Sequence, residues 1–268
     1  ILHFAAQSHV QNSFNESIQY TNDNVNGSHN LFEAIRLYAT NIQRVIHVST
    51  DEVYGESKLG YSESEKTEQS ILCPTNPYAA TKAAAELIAQ SYIHSFKLPI
   101  IITRGNNVYG PNQYEEKVIP LFIHQLLKNK KITIQGNGSC IRAFLHSIDV
   151  CSAFERILFN GTIGEIYNIG CDQEAEISIL ELGKLLIRLI KENTNYNSYI
   201  EYIEDRPFND KRYFISNQKL KDLGWTIKKD FLQGIKELIE NIKQEINSEN
   251  SEINKKYDFN LTTNNYMY

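Results

Sequence analysis

An apolar run that ends in hydroxyls and carboxyls is the first place to look for chemistry in this chain. Ile46-His47-Val48 leads directly into Ser49-Thr50-Asp51-Glu52. Two adjacent carboxyls can divide general-acid from general-base work if their surroundings push their proton affinities apart. Alone, such a pair more commonly marks a solvated loop; position raises its standing, because ligands of doubly wound sheets bind beyond the carboxyl ends of strands. The second cluster is Tyr78 and Lys82, four apart in Pro77-Tyr78-Ala79-Ala80-Thr81-Lys82 and followed by Ala83-Ala84-Ala85. That spacing puts both side chains on one face of a Pro-led helix. There an ammonium would stabilise a phenolate and lower a tyrosine pKa from about 10 toward a usable base. The same spacing recurs at Tyr54 and Lys58, but Gly55 and the polar stretch Glu56 to Gly60 offer no helix to hold that pair together. Tyr78 and Lys82 are therefore the working pair.

The elements that must position these groups read as alternating strands and helices. Short β-rich apolar runs cover Ile1 to Phe4, Arg44 to Ser49, Pro99 to Arg104, Lys131 to Gln135 and Glu165 to Ile169. Helical periodicity covers Asn22 to Ala39, Asn76 to Phe96 and Glu116 to Asn129. Strands that are apolar throughout, alternating with amphipathic helices, predict an α/β fold: a doubly wound parallel sheet covered on both faces. From about Gln135 the strands shorten and polar loops separate them, with further helices over Ser178 to Lys191 and Asp230 to Asn247. This predicts a sheet domain over 1–134, a smaller C-terminal α/β substrate lobe over 135–247 that interleaves with it, and a frayed tail over 248–268. Gly136-Asn137-Gly138 lacks a following Gly-Lys-Ser/Thr and reads as a hairpin turn rather than a phosphate cradle.

Composition narrows the function classes. The net charge of -5, with no long basic run, gives a nucleic-acid partner no electrostatic support. No stretch approaches the roughly 18 apolar residues of a membrane span. Cys73, Cys140, Cys151 and Cys171 include no CxxC pair, so neither a zinc site nor a disulfide framework is expected, and free thiols fit a cytoplasmic protein. The only methionine is Met267, and the chain opens on an apolar run that reads as a strand already under way. We expect an N-terminally incomplete protein.

Four ordered motifs carry a resemblance: Ser-Thr-Asp-Glu-Val-Tyr-Gly at 49 to 55, Pro-Thr-Asn-Pro-Tyr-Ala-Ala-Thr-Lys at 74 to 82, Thr-Arg-Gly-Asn-Asn-Val-Tyr-Gly-Pro-Asn-Gln at 103 to 113, and Arg-Pro-Phe-Asn-Asp-Lys-Arg-Tyr at 206 to 213. Together they resemble the nucleotide-sugar 4,6-dehydratases of the extended short-chain dehydrogenase/reductase superfamily, the third and fourth motifs most like the UDP-glucose 4,6-dehydratase part of rhamnose synthases, with the dTDP-glucose 4,6-dehydratases a close second. The resemblance implies a Rossmann-like sheet, NAD as cofactor, a nucleotide-diphosphoglucose substrate in rhamnose-type deoxysugar synthesis, and a homodimer formed through the helices of Asn22 to Ala39 and Asn76 to Phe96. It implies that Tyr78 takes the proton of the sugar 4-hydroxyl, that Lys82 tunes Tyr78 and holds the nicotinamide ribose, and that Thr50 bonds the 4-oxygen. Glu52 would remove the proton on carbon 5 and Asp51 would protonate the departing 6-hydroxyl.

Further residues follow from the same likeness. Ala5, Ala6, Gln7 and Ser8 resemble a loop that passes the cofactor, with Ser8 near the sugar; the neighbouring His9 reads better as a structural histidine. Val108 would pass the nicotinamide and Asn107 would meet the substrate, whereas Asn106 reads equally as a turn residue. Lys117, Val118, Thr133, Ile134, Gln135 and Asn168 fall where the family contacts the nucleotide. Arg142 and Arg206 match its diphosphate-gripping arginines, a role suited to a planar, always charged fork, and Asp205, Pro207, Phe208 and Asn209 complete that loop. Asp51 sets the subclass: the related decarboxylases carry Ser there and the 4-epimerases lack the acid-base pair. Such epimerase or decarboxylase chemistry is one rival. A non-catalytic sugar-nucleotide-binding module is the other, because the chain contains no GxxGxxG; the family places that turn, with roughly seventy residues of sheet and adenosine site, upstream of Ile1.

Overall fold

The computed structural model describes residues 1–39, 41–57, 65–172 and 175–263, with side chains through residue 248. Its first sheet is parallel, in the order β1 (Leu2–His3), β2 (Val45–Thr50), β3 (Ile100–Gly105) and β7 (Ile166–Ile169). Almost every residue of β2 and β3 is buried, which is why both read as unbroken apolar runs. Alternate side chains serve opposite faces. Val45, Ile100 and Ile102 pack on Phe32 and Ile35 of α3 (Gly27–Tyr38) and on Ala89 and Tyr92 of α4 (Pro77–Phe96). Ile46 and Ile101 pack on Phe154 and Ile157 of α6 (Ser147–Asn160). Helices on both faces make this a doubly wound α/β sheet.

A second layer rests on two smaller sheets. One joins β4 (Asn107–Tyr109), β6 (Ile141–His146) and β8 (Glu176–Ser178); the other pairs β5 (Ile132–Gln135) with β9 (Ile200–Ile203). Their core lies against α5 (Val118–Leu127), α7 (Ile179–Lys191) and the first turns of α9 (Phe231–Thr263). Because β5 and β6 belong to different sheets, residues 136–138 form a turn but not the expected hairpin. Its glycines are required nonetheless: at Gly136 φ is +56°, and a Cβ would press on the Asp205 carboxylate. The chain crosses between layers, since α6 and β7 lie beyond residue 134 and yet complete the first sheet. The short α8 (Gln218–Asp222) buries Leu220 beneath it. The backbone of α9 stays helical through Thr263, across much of the segment read as a frayed tail; residues 264–268 lie outside the described residues. No described helix is long and apolar enough to cross a membrane.

Local sequence explains the elements nearest the clusters. Asn76 accepts from the Ala79 amide at 2.9 Å and Pro77 opens α4, an N-cap followed by a proline that needs no partner. The segment read as one helix from Asn22 divides. After α1 (Val10–Asn15) and α2 (Ser17–Tyr20), residues Thr21–Asn26 form a π-helical turn before α3 begins. Inside it, buried Asn24 donates to the Gln7 carbonyl at 3.0 Å and to Thr81 Oγ1 at 2.9 Å, and accepts from the Gln7 amide at 2.7 Å. The widened turn thereby ties the loop of residues 5 to 8 to α4.

After β2 the chain makes a 3-10 turn, Asp51–Tyr54, and then Gly55 at φ +71°, where any Cβ would overlap the Cys73 carbonyl. Gly55→Ala should therefore cost about 2 kcal/mol or more. It is checked by urea unfolding, and a variant as stable as the parent would show that this turn is not fixed by Gly55.

Candidate active site

The turn at the end of β2 buries its first carboxyl, with Asp51 only 4% exposed. Thr50 begins it: its hydroxyl accepts from the Glu52 amide at 3.4 Å and donates to Asp51 Oδ1 at 3.2 Å. An asparagine serves each carboxyl. Asn106 gives its amide to Asp51 Oδ2 at 2.6 Å and is held in turn by the Cys171 amide at 3.0 Å. Asn76, while capping α4, gives its amide to Glu52 Oε2 at 2.8 Å. Burial raises both carboxyls; the negative Glu52 lifts Asp51 further, to about 7, and Asn106 and Thr50 only partly oppose this. Asp51 thus has the proton affinity of a general acid near neutrality, while the neighbouring Glu52, also raised by burial, accepts from Asn76.

Tyr78 and Lys82 lie on the same face of α4, both buried. The expected lowering of the tyrosine does not occur in this state. Burial and the carboxylates of Glu52 and Asp51 push the Tyr78 phenol up. The Lys82 ammonium instead donates to the Val48 carbonyl at 2.6 Å, and burial pulls it down to about 8, with Glu86 opposing. The rival tyrosine, Tyr54, is turned inward: its hydroxyl donates to Asn168 Oδ1 at 2.8 Å and accepts from Arg104 at 2.7 Å. Its sequence partner Lys58 lies outside the described residues.

Above these groups opens a cleft of about 680 Å³. Its lining includes Thr50, Glu52, Asn76 and Tyr78, with Ser8, Asn107, Val108, Lys117, Val118, Thr133, Gln135, Arg142, Arg206, Phe208 and Asn209. Arg142 is fixed by the Asp210 carbonyl at 2.9 Å and Asn209 Oδ1 at 3.1 Å, and stacks over the Tyr213 ring. Arg206 donates to Gln135 Oε1 at 2.9 Å, and burial together with the Arg142 charge lowers it. Two guanidiniums in one cleft are groups that could hold an anion between them. Across the mouth, Lys117 donates to the Ser8 carbonyl at 3.2 Å and His9 faces Glu116 at 3.7 Å.

Several expected residues stand elsewhere. Asp51 and Lys82 sit behind the cleft wall, one beneath Asn106 and the other beneath the strand. Ala5, Ala6 and Gln7 are exposed and do not line the cleft, and Gln7 turns to Asp23 and Asn24. Ile134 belongs to the second-layer core. Asp205 accepts from the Arg206 amide and the Asn209 side chain, holding the arginine loop from outside, and Pro207 is exposed on that loop. Asn168 is fully buried between Tyr54 and the Lys66 carbonyl, out of reach of a nucleotide.

The structure adds residues to which no role had been given. Asn76 and Asn106 hold the two carboxyls. Tyr213 bonds Asp210 and lies 3.5 Å from Glu52 Oε2, while Thr75 bonds the same Asp210 at 2.8 Å. All but Asp210 and Tyr213 stand beside a motif tyrosine or strand end, and those two lie within the motif of residues 206 to 213. Buried hydroxyls of Ser49 and Thr103 also line the cleft without a protein partner.

Comparison with known proteins gives consistent likenesses. A family model described as GDP-mannose 4,6 dehydratase matches residues 1–238. Over 240 residues the chain is 46% identical to a trifunctional UDP-glucose 4,6-dehydratase/UDP-4-keto-6-deoxy-D-glucose 3,5-epimerase/UDP-4-keto-L-rhamnose-reductase of Arabidopsis thaliana, covering 90% of this chain and 35% of that protein. Over 243 residues it is 47% identical to a dTDP-D-glucose 4,6-dehydratase of Mus musculus, covering 90% of this chain and 66% of that one. A dTDP-glucose 4,6-dehydratase from Streptomyces venezuelae, solved with NAD bound, superposes with a TM-score of 0.84 at 35% identity, over 91% of this chain and 73% of its own. The chain thus spans about a third of the plant relative and about two-thirds of the mouse one.

The buried acid gives a stability test. Asp51 releases its proton near 3.8 when unfolded but only at about 7 when folded, so the folded state loses stability as pH rises through that window. Asp51→Asn removes this dependence. The stability of the variant relative to the parent should climb by about 3 kcal/mol between pH 5 and pH 8. Urea midpoints at the two pH values measure it, and a gap that stays constant would contradict the burial of a protonated Asp51.

Proposed function

Because this chain belongs to the GDP-mannose 4,6 dehydratase family, we propose that it acts as an NAD-dependent nucleotide-diphosphoglucose 4,6-dehydratase, converting UDP-glucose or dTDP-glucose to the 4-keto-6-deoxy sugar nucleotide. The observation that carries the reading is the pair of neighbouring carboxyls at the end of β2, Asp51 buried and held by Asn106 and Glu52 facing the cleft and held by Asn76; burial raises Asp51 to about 7. Expulsion of a hydroxyl needs a proton donor, and loss of a carbon-bound proton needs a base; epimerisation needs neither in that place. The dehydratases named among the relatives support the same reading.

The residues divide the work. Tyr78, once its own proton has passed to solvent and it stands as the phenolate, receives the proton of the 4-hydroxyl, with Thr50 bonding that oxygen. Glu52, oriented by Asn76, takes the proton on carbon 5, made acidic by the neighbouring ketone. Asp51, oriented by Asn106, protonates the 6-hydroxyl as it leaves as water. NAD, when bound, would supply the acceptor and later donor of hydride. The nicotinamide end of such a cofactor fits the residues present: Ser8, Tyr78 and Val108 line the cleft, and the unpartnered hydroxyls of Ser49 and Thr103 offer it donors. The Streptomyces relative binds NAD. Arg142 and Arg206 grip the diphosphate, and Lys117, Thr133 and Gln135 meet the nucleotide.

The product belongs to rhamnose-type deoxysugar synthesis, which we place in the cytoplasm in keeping with free cysteines. A homodimer through α3 and α4 would cover Leu37, Tyr38, Leu87 and Phe96, which these helices expose. Leu87→Glu should then convert a dimer to a monomer in light scattering; a parent that is already monomeric rejects this interface.

With NAD+ and either sugar nucleotide, mass spectrometry should find the substrate mass less one water. Asp51→Asn and Glu52→Gln should each lower turnover by about 10²- to 10⁴-fold. Turnover of the parent should fall above about pH 7 as Asp51 ionises. A sugar nucleotide recovered at unchanged mass but inverted configuration would overturn the reading in favour of epimerisation.

A further inference from the structure

Glu86 and Arg104 form an ion pair that is 0% and 2% exposed and touches no part of the cleft. Arg104 Nη2 donates to Glu86 Oε2 at 2.6 Å and Nε to the same carboxylate at 3.0 Å, while Nη1 reaches the Tyr54 hydroxyl at 2.7 Å. A buried pair of this kind is poor evidence of stabilisation, because desolvation offsets most of its attraction and apolar residues often replace it without loss. Its position is more informative. Glu86 follows Lys82 by four residues on α4, so the carboxylate lies one turn along the same buried face.

We propose that Glu86 and Arg104 are positioning residues of the catalytic centre: the carboxylate, locked by the guanidinium fork, holds Lys82 in its ammonium form beneath Tyr78. This rests on the reading of Lys82 as the partner of Tyr78 in dehydration. Burial alone disfavours a charged Lys82, and its one hydrogen bond is to a neutral carbonyl, that of Val48. Its other neighbours do not help. His47 on β2 and His3 on β1 are basic groups that would repel an ammonium; burial keeps His47 neutral, with neither ring nitrogen partnered. Tyr20 of α2 gives its hydroxyl to the His9 carbonyl, Asp23 is bonded by Gln7 and Gln19, and Glu33 of α3 is held by Arg36 and Tyr92. Asp51 and Glu52 are bonded by Asn106 and Asn76. The carboxylate left to oppose the loss of charge on Lys82 is that of Glu86, buried one turn along the same face of α4. Arg104 supplies the hydrogen bonds that fix it and, through Tyr54, joins the pair to the turn bearing Asp51 and Glu52.

The test is a titration of Lys82 by NMR in the full chain labelled with ¹³Cε-lysine, the signal being assigned by its loss in Lys82→Met. The parent should titrate at about 8. Glu86→Gln should move the midpoint down by about one pH unit. The double variant Glu86→Leu with Arg104→Leu, which leaves no orphaned charge, should do the same. An unmoved midpoint in either folded variant overturns the proposal. Should neither variant fold, the parent decides alone: Lys82 already neutral below pH 7 overturns it, and an ammonium at pH 7 sustains it. This readout needs no turnover, so it separates the inference from the dehydratase reading. A shifted midpoint in a chain without activity upholds the first and rejects the second.

Discussion

Asp51 and Glu52 follow one another at the end of a buried strand, and two like charges there would cost several kcal/mol if both ionised. The surroundings act on that cost in two ways. Burial raises Asp51 to about 7, and each acid receives a side-chain amide from an asparagine fixed by its own backbone task, Asn76 as a helix cap and Asn106 as acceptor of the Cys171 amide. Neither asparagine can turn away without losing a backbone partner. The geometry of the pair is thereby set by helix capping and strand ends, the least adjustable parts of the fold.

The same charge reaches α4. Tyr78 is a phenol here because Glu52 and Asp51 stand close to it, which opposes the base role that its spacing with Lys82 foretells. A site that must hold a carboxylate and also form a phenolate needs positive charge from elsewhere. Lys82, Arg142 and Arg206 are all buried or half-buried cations around it, and burial lowers two of them, Lys82 and Arg206. Such strained charge is the expected cost of preorganisation, with stability traded for a site ready to bind an anion.

How much of this the sequence discloses depends on the physics of each residue. The strands at Val45–Thr50 and Ile100–Gly105 are legible because a sheet covered on both faces demands apolar side chains throughout. Thr50, Glu52, Tyr78 and the two arginines are legible through motifs that place them in one cleft. The roles of Asn76 and Asn106 are not, since an asparagine beside a proline or a strand end reads equally as a cap or a turn. Asn168 reads as a ligand contact from its place in a motif-rich chain, but the buried Tyr54 hydroxyl needs an acceptor and takes it. The Lys82 effect on Tyr78 fails for a reason that spacing cannot show: carboxylates from another element lie closer in effect than the lysine one turn away. The glycine turn at 136–138 reads as a hairpin because local residues specify the bend and not which sheet receives each arm.

The bond from Tyr54 to Asn168 also bears on how the molecule is made. Its partners are 114 residues apart in the chain, and β7, which carries Asn168, is the last strand of the parallel sheet. On a ribosome the turn with both carboxyls emerges long before the strand that anchors it. Parallel pairing at such separation is slow because loop closure precedes any reward. Until β7 docks, β3 presents an open apolar edge beside a loosely held acidic turn, so nascent chains of this protein are exposed to mispairing over a long interval of synthesis.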